Sequence, residues 1–317
     1  MVRRRFLSVL GGLAILLAIF LLYRVFNNQD PVVLATAITS VSPHALVSAG
    51  LFTAGSFAAI SGLEYLAIRH MRAEVPLGRI VATACAAVGI GHAVGLAAFS
   101  SGAIRYRMYR RAGHNVLLVS KVLLFSGLST VCGFAGVGGF SLVWQADRLA
   151  PVLGTTPNVM RGAGVVMLGM LACYFAGCVL SRSRALPLGA RFYIRVPAAG
   201  LAALQIIGAN INVFCIVGAL YACLRDFTEV MYPMIATLYV GSEMTALIGH
   251  VPGGWGVLEF IATTTLSGGE ILAGIVLFRA VYYLVPLFVG LLIFLIDEII
   301  ARRKQDDLAA PPITNAT

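Results

Sequence analysis

Eight apolar runs follow one another along the 317-residue chain, at about 6–26, 44–68, 80–99, 116–143, 159–181, 196–224, 231–267 and 271–299. A helix needs roughly 20 apolar residues to cross the hydrocarbon core of a bilayer, and these runs supply them. Charged residues are only 11% of the chain, against 59% hydrophobic. A water-soluble fold could not cover that much apolar surface, so the pattern predicts an all-α polytopic membrane protein. The net charge of +10 then has a cause other than nucleic-acid binding. Arginines gather in the segments between runs, as the positive-inside rule requires.

Two of the runs are interrupted, and alike. Ile90-Gly91-His92-Ala93-Val94-Gly95 is echoed by Ile248-Gly249-His250-Val251-Pro252-Gly253. Paired, broken apolar segments in corresponding places of two halves point to a transporter's midplane binding site. If 80–99 simply spanned, with the N-terminus inside, then Arg105, Arg107, Arg110, Arg111 and Lys121 would lie outside, against the rule. As a re-entrant hairpin turning near Gly89-Ile90-Gly91-His92, with limbs of roughly ten residues, it returns them to the cytoplasm. The second broken run then enters from the outer side and turns near Val251-Pro252-Gly253-Gly254. Most of the 23 Lys and Arg residues fall inside in this arrangement.

Each half then reads span, span, hairpin, span, in opposite senses. The expected fold is an inverted-topology repeat of about six spanning helices plus two re-entrant helical hairpins. One membrane domain, 1–304, comprises repeat one at 1–145 and repeat two at 158–300. A disordered cytoplasmic tail follows at 305–317. Arg3-Arg4-Arg5 before the first run reads as a signal anchor, with both termini cytoplasmic.

Polar residues within such runs are expensive and mark candidate sites. Arg107, Arg110 and Arg111 share one helical face, and guanidinium groups suit phosphate. Tyr106 and Tyr109 suit the headgroup zone. With Arg105 they form a candidate phosphate cradle at the cytoplasmic mouth, where Ser100, Ser101 and Gly102 would leave the backbone open to a ligand. The same arginines would equally serve a plain juxtamembrane loop. In the second broken run Pro252, Gly253, Gly254 and Gly256 forbid a continuous helix, and the helix that restarts near Gly256 presents free N–H groups to an anion. Glu259 sits one turn into it, with Arg279 as its expected partner; by the alternative reading Glu259 only complements the helix dipole.

Glu243 and His250, two turns apart, can face one cavity. His92 and His250 are candidates for a proton relay or for hydrogen-bonded structural roles. Gln205, Gly208, Ala209 and Asn212 form a stripe expected to glue helices. Glu64 is expected to pair with Arg69 or Arg72. The cysteines show no CxxC pair and no metal-ligand spacing, so they read as small core residues; neither metal nor cofactor is expected.

Phe99-Ser100-Ser101-Gly102-Ala103-Ile104-Arg105-Tyr106-Arg107 and Val251-Pro252-Gly253-Gly254-Trp255-Gly256-Val257-Leu258-Glu259 resemble the two signature segments of the flippase-like membrane domain of bacterial lysylphosphatidylglycerol synthases. The resemblance runs through the whole chain in segment order. It implies a bacterial inner-membrane protein that moves or binds an aminoacylated or related phospholipid. The synthases carry further spans and an aminoacyl-transferase domain, for which this chain has no room after Thr317, so lipid aminoacylation is not implied.

The expected function is therefore phospholipid translocation by a non-enzyme, without a nucleotide-binding GxxxxGK[ST] motif. In this reading Arg105, Arg107 and Arg110 engage the phosphate, the helix start near Gly254–Gly256 receives it on the outer side, and Glu259 and Glu243 accept any ammonium. A separate lipid synthase and a homo-oligomer are the protein partners considered. The alternatives are a non-catalytic subunit of that synthase, or an intramembrane headgroup enzyme using His92, His250 and Glu259.

Overall fold

Ser42 begins the first described helix because its hydroxyl accepts the Ala45 N–H while Pro43 fills the first turn, where no N–H is needed. The computed structural model describes residues 41–94, 97–152, 154–181, 185–187, 193–249, 256–266 and 271–309. The expected span at 6–26 lies outside them, as do the turn at 250–255 and the tail beyond Ala309.

The described chain is helical, apart from a small two-stranded ribbon. In order it forms α1 (Pro43–His70), α2 (Leu77–Val94), α3 (Ala97–Arg111), α4 (Val116–Gly133), α5 (Gly139–Trp144), α6 (Ala146–Val152) and α7 (Pro157–Leu180). The ribbon β1 (Ala185–Pro187) and β2 (Tyr193–Arg195) is antiparallel, with Leu186 opposite Ile194. Then come α8 (Ala199–Leu224), α9 (Tyr232–Ile248), α10 (Val257–Thr265), α11 (Ile271–Arg279) and α12 (Val285–Ala309). A π-helical turn at Phe134–Gly138 joins α4 to α5, and another at Ala280–Leu284 joins α11 to α12. Among the described residues five helices are long and apolar enough to cross a membrane: Pro43–His70, Val116–Trp144, Pro157–Leu180, Ala199–Leu224 and Ile271–Arg303.

The senses of the elements follow from what closes each face. On one face, rich in arginine, the C-terminal end of α1, the start of α2, the end of α3 and the start of α4 share a cluster built on Ile68, Ile80, Tyr109 and Leu118, with Leu201 of α8 against it. On the opposite face the Ser42 N–H donates to Asp226 at 2.9 Å, tying the start of α1 to the end of α8. Arg148 reaches Met231 there.

The segment α2–α3 therefore leaves and returns to the basic face: Arg79 at its start and Arg111 at its end both bind Asp297. The segment α9–α10 opens and closes at the other face, where Leu266, Ile271, Cys223 and Leu224 share one core. The order helix, hairpin, π-interrupted helix thus occurs twice, in opposite senses, with α1 and α8 packed together at the centre.

The first hairpin is longer than its sequence suggests. Gly89, Ile90, Gly91 and His92 lie inside α2, and the break falls between Val94 and Ala97. Gly89 serves packing instead: a Cβ there would sit 2.3 Å from the Pro286 carbonyl oxygen, so glycine lets α2 and α12 touch backbone to backbone. A glycine inside a helix costs only about 1 kcal/mol, which this contact offsets. The return limb carries Arg105 to Arg111, which are helical rather than a loop, and Lys121 sits in α4. At the far end, α12 runs to Ala309, so residues 305–309 are helical where disorder is expected. Arg302-Arg303-Lys304-Gln305 are good helix formers, and the first strong breaker is Pro311.

Candidate functional site

Two polar sites occupy the two hairpins. The first is an ion-pair cluster on the basic face. At the middle of α12, Asp297 and Glu298 are the acceptors: Asp297 takes Arg79 and Arg111, and Glu298 takes Arg107, Arg111 and Arg302. Four guanidinium groups share two carboxylates, leaving an excess of positive charge at a part-exposed mouth. Arg107 also lies over the Phe294 ring, 5.4 Å from its centroid. Arg110 points elsewhere, donating to the Tyr106 hydroxyl at 3.1 Å. Asp297 and Glu298 escape the sequence reading, although two adjacent acids ending an apolar run opposite the densest arginines are a usable signal.

Arg105 is not part of this mouth. It is 3% exposed and bound to Glu64, itself 1% exposed, through Nε at 3.1 Å to both carboxylate oxygens and Nη2 at 2.7 Å. Tyr109 donates to the same carboxylate at 2.7 Å. Glu64 therefore pairs with Arg105 rather than with Arg69 or Arg72, and Tyr109 is buried rather than in the headgroup zone. Nor is the Ser100-Ser101-Gly102 backbone open to a ligand. These residues lie in the helix α3, Ser101 is buried, and a Cβ on Gly102 would touch Leu123. Ser100 turns toward the Gly91 carbonyl at 3.5 Å.

The second site lies inside the molecule. Gly256 adopts φ +83°, a left-handed conformation that glycine tolerates, and there α10 restarts. Glu259 accepts the Gly256 N–H at 3.0 Å, so it caps the helix. The same carboxylate accepts Arg279 Nε at 2.6 Å and Nη2 at 2.9 Å, the pair expected from the sequence. Both readings of Glu259, cap and ion-pair partner, hold together. Pro252, Gly253, Gly254 and His250 lie outside the described residues.

From Arg279 the site extends through the second π-turn. Arg279 stacks over Tyr283 at 5.5 Å, and Tyr282 lies stacked on Phe278 at 5.4 Å. His92 of the first hairpin lies 6.2 Å from the Tyr282 ring and 5.9 Å from the Tyr283 ring. Its Nδ1 is buried without a hydrogen-bond partner among the described residues. The Tyr282 hydroxyl meets Ser56 at 3.0 Å, and Ser56 donates to Asn212 at 2.7 Å. Tyr282 and Tyr283 are a second omission of the sequence reading; their place one turn beyond an intramembrane arginine is the signal. Groups from both hairpins thus converge on a π-turn, a device frequent at functional sites.

The helix-gluing stripe does its expected work. Gln205 binds the Phe125 carbonyl, Ser129 and Tyr174. The Ala209 carbonyl receives Gly133 so closely that a Cβ would lie 2.6 Å away. Gly208 meets Leu63, and Asn212 meets Ser56. Cys132, Cys178 and Cys223 are buried, whereas Cys173 is exposed on the apolar flank of α7. Among the described residues no group of three His, Cys, Asp or Glu could hold a metal.

No protein-family model matches the chain. It is 25% identical over 259 residues to Uncharacterized protein slr0712 of Synechocystis sp. (strain ATCC 27184 / PCC 6803 / Kazusa), covering 78% of this chain and 77% of that protein. It is 24% identical over 207 residues to Inner membrane protein YbhN of Escherichia coli (strain K12), 64% of each, so it spans just under two thirds of that relative. The Escherichia coli relative and the five long apolar helices of the described residues agree on a membrane protein.

Proposed function

We propose that the protein translocates a phospholipid, aminoacylated or otherwise related to the anionic phospholipids, between leaflets of the bacterial inner membrane. The observation that carries this reading is the meeting of two oppositely directed hairpins: His92 of one lies against the π-turn tyrosines, and Glu259 of the other binds Arg279, which stacks on the same Tyr283. Polar groups at membrane depth are tolerated where they line a cavity or bind what passes. The residues at the basic face suit a phosphate. Arg107 and Arg111 would exchange Glu298 for the ligand, while Arg105 stays with Glu64 as a structural pair. Arg79 and Arg302 supply the remaining surplus charge. Glu259 and Arg279 then receive the headgroup in the interior. The inner-membrane placement rests on the Escherichia coli relative and on the arginine asymmetry.

The membrane potential sets the energetics. It is worth roughly 2.3 kcal/mol per unit charge per 100 mV, so it assists outward movement of an anionic lipid and opposes that of a cationic one. A cationic cargo would need a gradient from a separate synthase or a coupled ion.

The test is a reconstituted translocation assay, following fluorescent phosphatidylglycerol and its lysyl ester as they become protected from an external quencher. Wild-type protein moves one lipid faster than the other, and Glu259→Gln and Arg107→Ala, verified as folded, each slow it at least tenfold. Folded wild-type protein that moves neither lipid would overturn autonomous translocation and favour a non-catalytic subunit of a synthase.

A further inference from the structure

A third acidic residue faces the interior site and is not accounted for by it. Glu243 lies on α9, about 16 Å along the helix from Tyr232 at 1.5 Å per residue, roughly half the depth of a bilayer core. It makes no hydrogen bond or ion pair among the described residues, and it is neither surface-exposed nor sealed. Ser242 beside it is buried, as is Tyr239 one turn earlier. Among the described residues the positive charge within its electrostatic reach is Arg279, already bound through Nε and Nη2 to Glu259.

Among the described residues, the other groups around Glu243 do not supply a cation. Tyr239 on its own helix and Tyr282 and Tyr283 on the π-turn interact with it electrostatically, and phenols are neutral near pH 7. Of the elements packed against α9, helix α8 brings Cys215, Tyr221 and Cys223, α10 brings Glu259, and the segment Phe134–Trp144 brings no titratable side chain. With both carboxylates ionised the site would hold two negative charges against one guanidinium. An uncompensated charge there costs several kcal/mol, and a carboxyl group escapes that cost by taking up a proton.

We infer that Glu243 is a proton-exchanging site that couples lipid movement to proton movement. In the empty interior its carboxyl group carries the proton. When a headgroup bearing an ammonium enters with its water, the carboxyl O–H bond breaks, the proton passes through that water to bulk solvent, and the carboxylate is left paired with the ammonium. His92 lies against the rings of Tyr282 and Tyr283, which are 5.5 Å apart. The lipid half of this inference rests on the translocation reading; the proton half does not.

Two measurements on the full-length protein separate these halves. Infrared difference spectroscopy in an uncharged detergent at pH 7 shows a protonated-carboxyl stretch that disappears in Glu243→Gln, persists at a shifted frequency in Glu243→Asp, and fades when the lysyl ester of phosphatidylglycerol is added. Absence of that band in the wild type means an ionised Glu243 and overturns the proposal. In proteoliposomes an imposed pH gradient changes the lipid rate several-fold, with a matching pH change inside, and Glu243→Gln makes the rate indifferent to the gradient. Wild-type lipid movement that ignores the gradient overturns coupling while leaving translocation standing. If no lipid moves under any gradient, translocation fails and the infrared band alone decides the proton site.

Discussion

Arg105 and Glu64 stand 41 positions apart in sequence and are among the least exposed charges in the described chain. Removing one partner of such a pair strands the other in a dry interior, at a cost of roughly 3–5 kcal/mol, whereas removing both costs much less. Arg105→Gln and Glu64→Gln should therefore each lower the unfolding temperature in detergent sharply, and the double variant should recover most of the loss. Additive single losses would show that the pair is not a unit. The sequence reading sends Arg105 to a ligand because local spacing is all it has; Glu64 is brought to it by the packing of α1 on the hairpin.

Asp226 tests the opposite face. Burial alone would raise its pKa, but hydrogen bonds from Ser42 and the nearby Arg225 outweigh that and hold it below the usual aspartate value. A depressed folded pKa gives stability that is present above the unfolded value and lost as pH falls through the folded one, here below about 4. Asp226→Asn should cost less than ~1 kcal/mol at pH 7, because the pair is part-exposed. Its stability should also fall less than the wild type's on acidification to pH 3. An unchanged acid profile would remove the Ser42–Asp226 tie from the account.

At the scale of elements, glycine had two meanings that sequence alone does not separate. Gly256 is a conformational glycine, at φ +83°, where a helix restarts. Gly89 and Gly133 are contact glycines inside helices, each against another helix's backbone. A broken run looks the same in both cases, so the first hairpin is legible as a hairpin although its first limb stays helical through Gly89–His92 to Val94. The distinction can be measured. Gly89→Ala gains about 1 kcal/mol of helix propensity but drives a methyl into the Pro286 carbonyl, and overpacking of that kind costs roughly 1–3 kcal/mol. Gly50 has no atom within 4 Å of where a Cβ would sit, so Gly50→Ala should be neutral or stabilising. Thermal unfolding that finds Gly89→Ala as benign as Gly50→Ala would mean that α2 and α12 do not touch there.

For the whole molecule, hydropathy and arginine placement made the helical membrane fold and its opposed hairpins legible, because both are set by the bilayer rather than by contacts. The interior site was half legible: Glu259 and Arg279 stood out as charges in apolar runs, while Tyr282, Tyr283, Asp297 and Glu298 acquire their significance only from what folds against them. The arrangement makes one demand that no through-span could meet. Since Arg79 and Arg111 hold the same carboxylate, the two mouths of the first hairpin must open on one face. Cysteines introduced at Glu74 and at Gly113 should then react with a membrane-impermeant maleimide from the same side of sealed vesicles. A cysteine at Thr228, beyond the end of α8, should react only from the other side. The positive-inside rule makes the shared side the cytoplasmic one. Labelling of Glu74 and Gly113 from opposite sides would turn 77–111 into a crossing. It would also reverse every later helix and separate the two hairpins that the interior site requires to face each other.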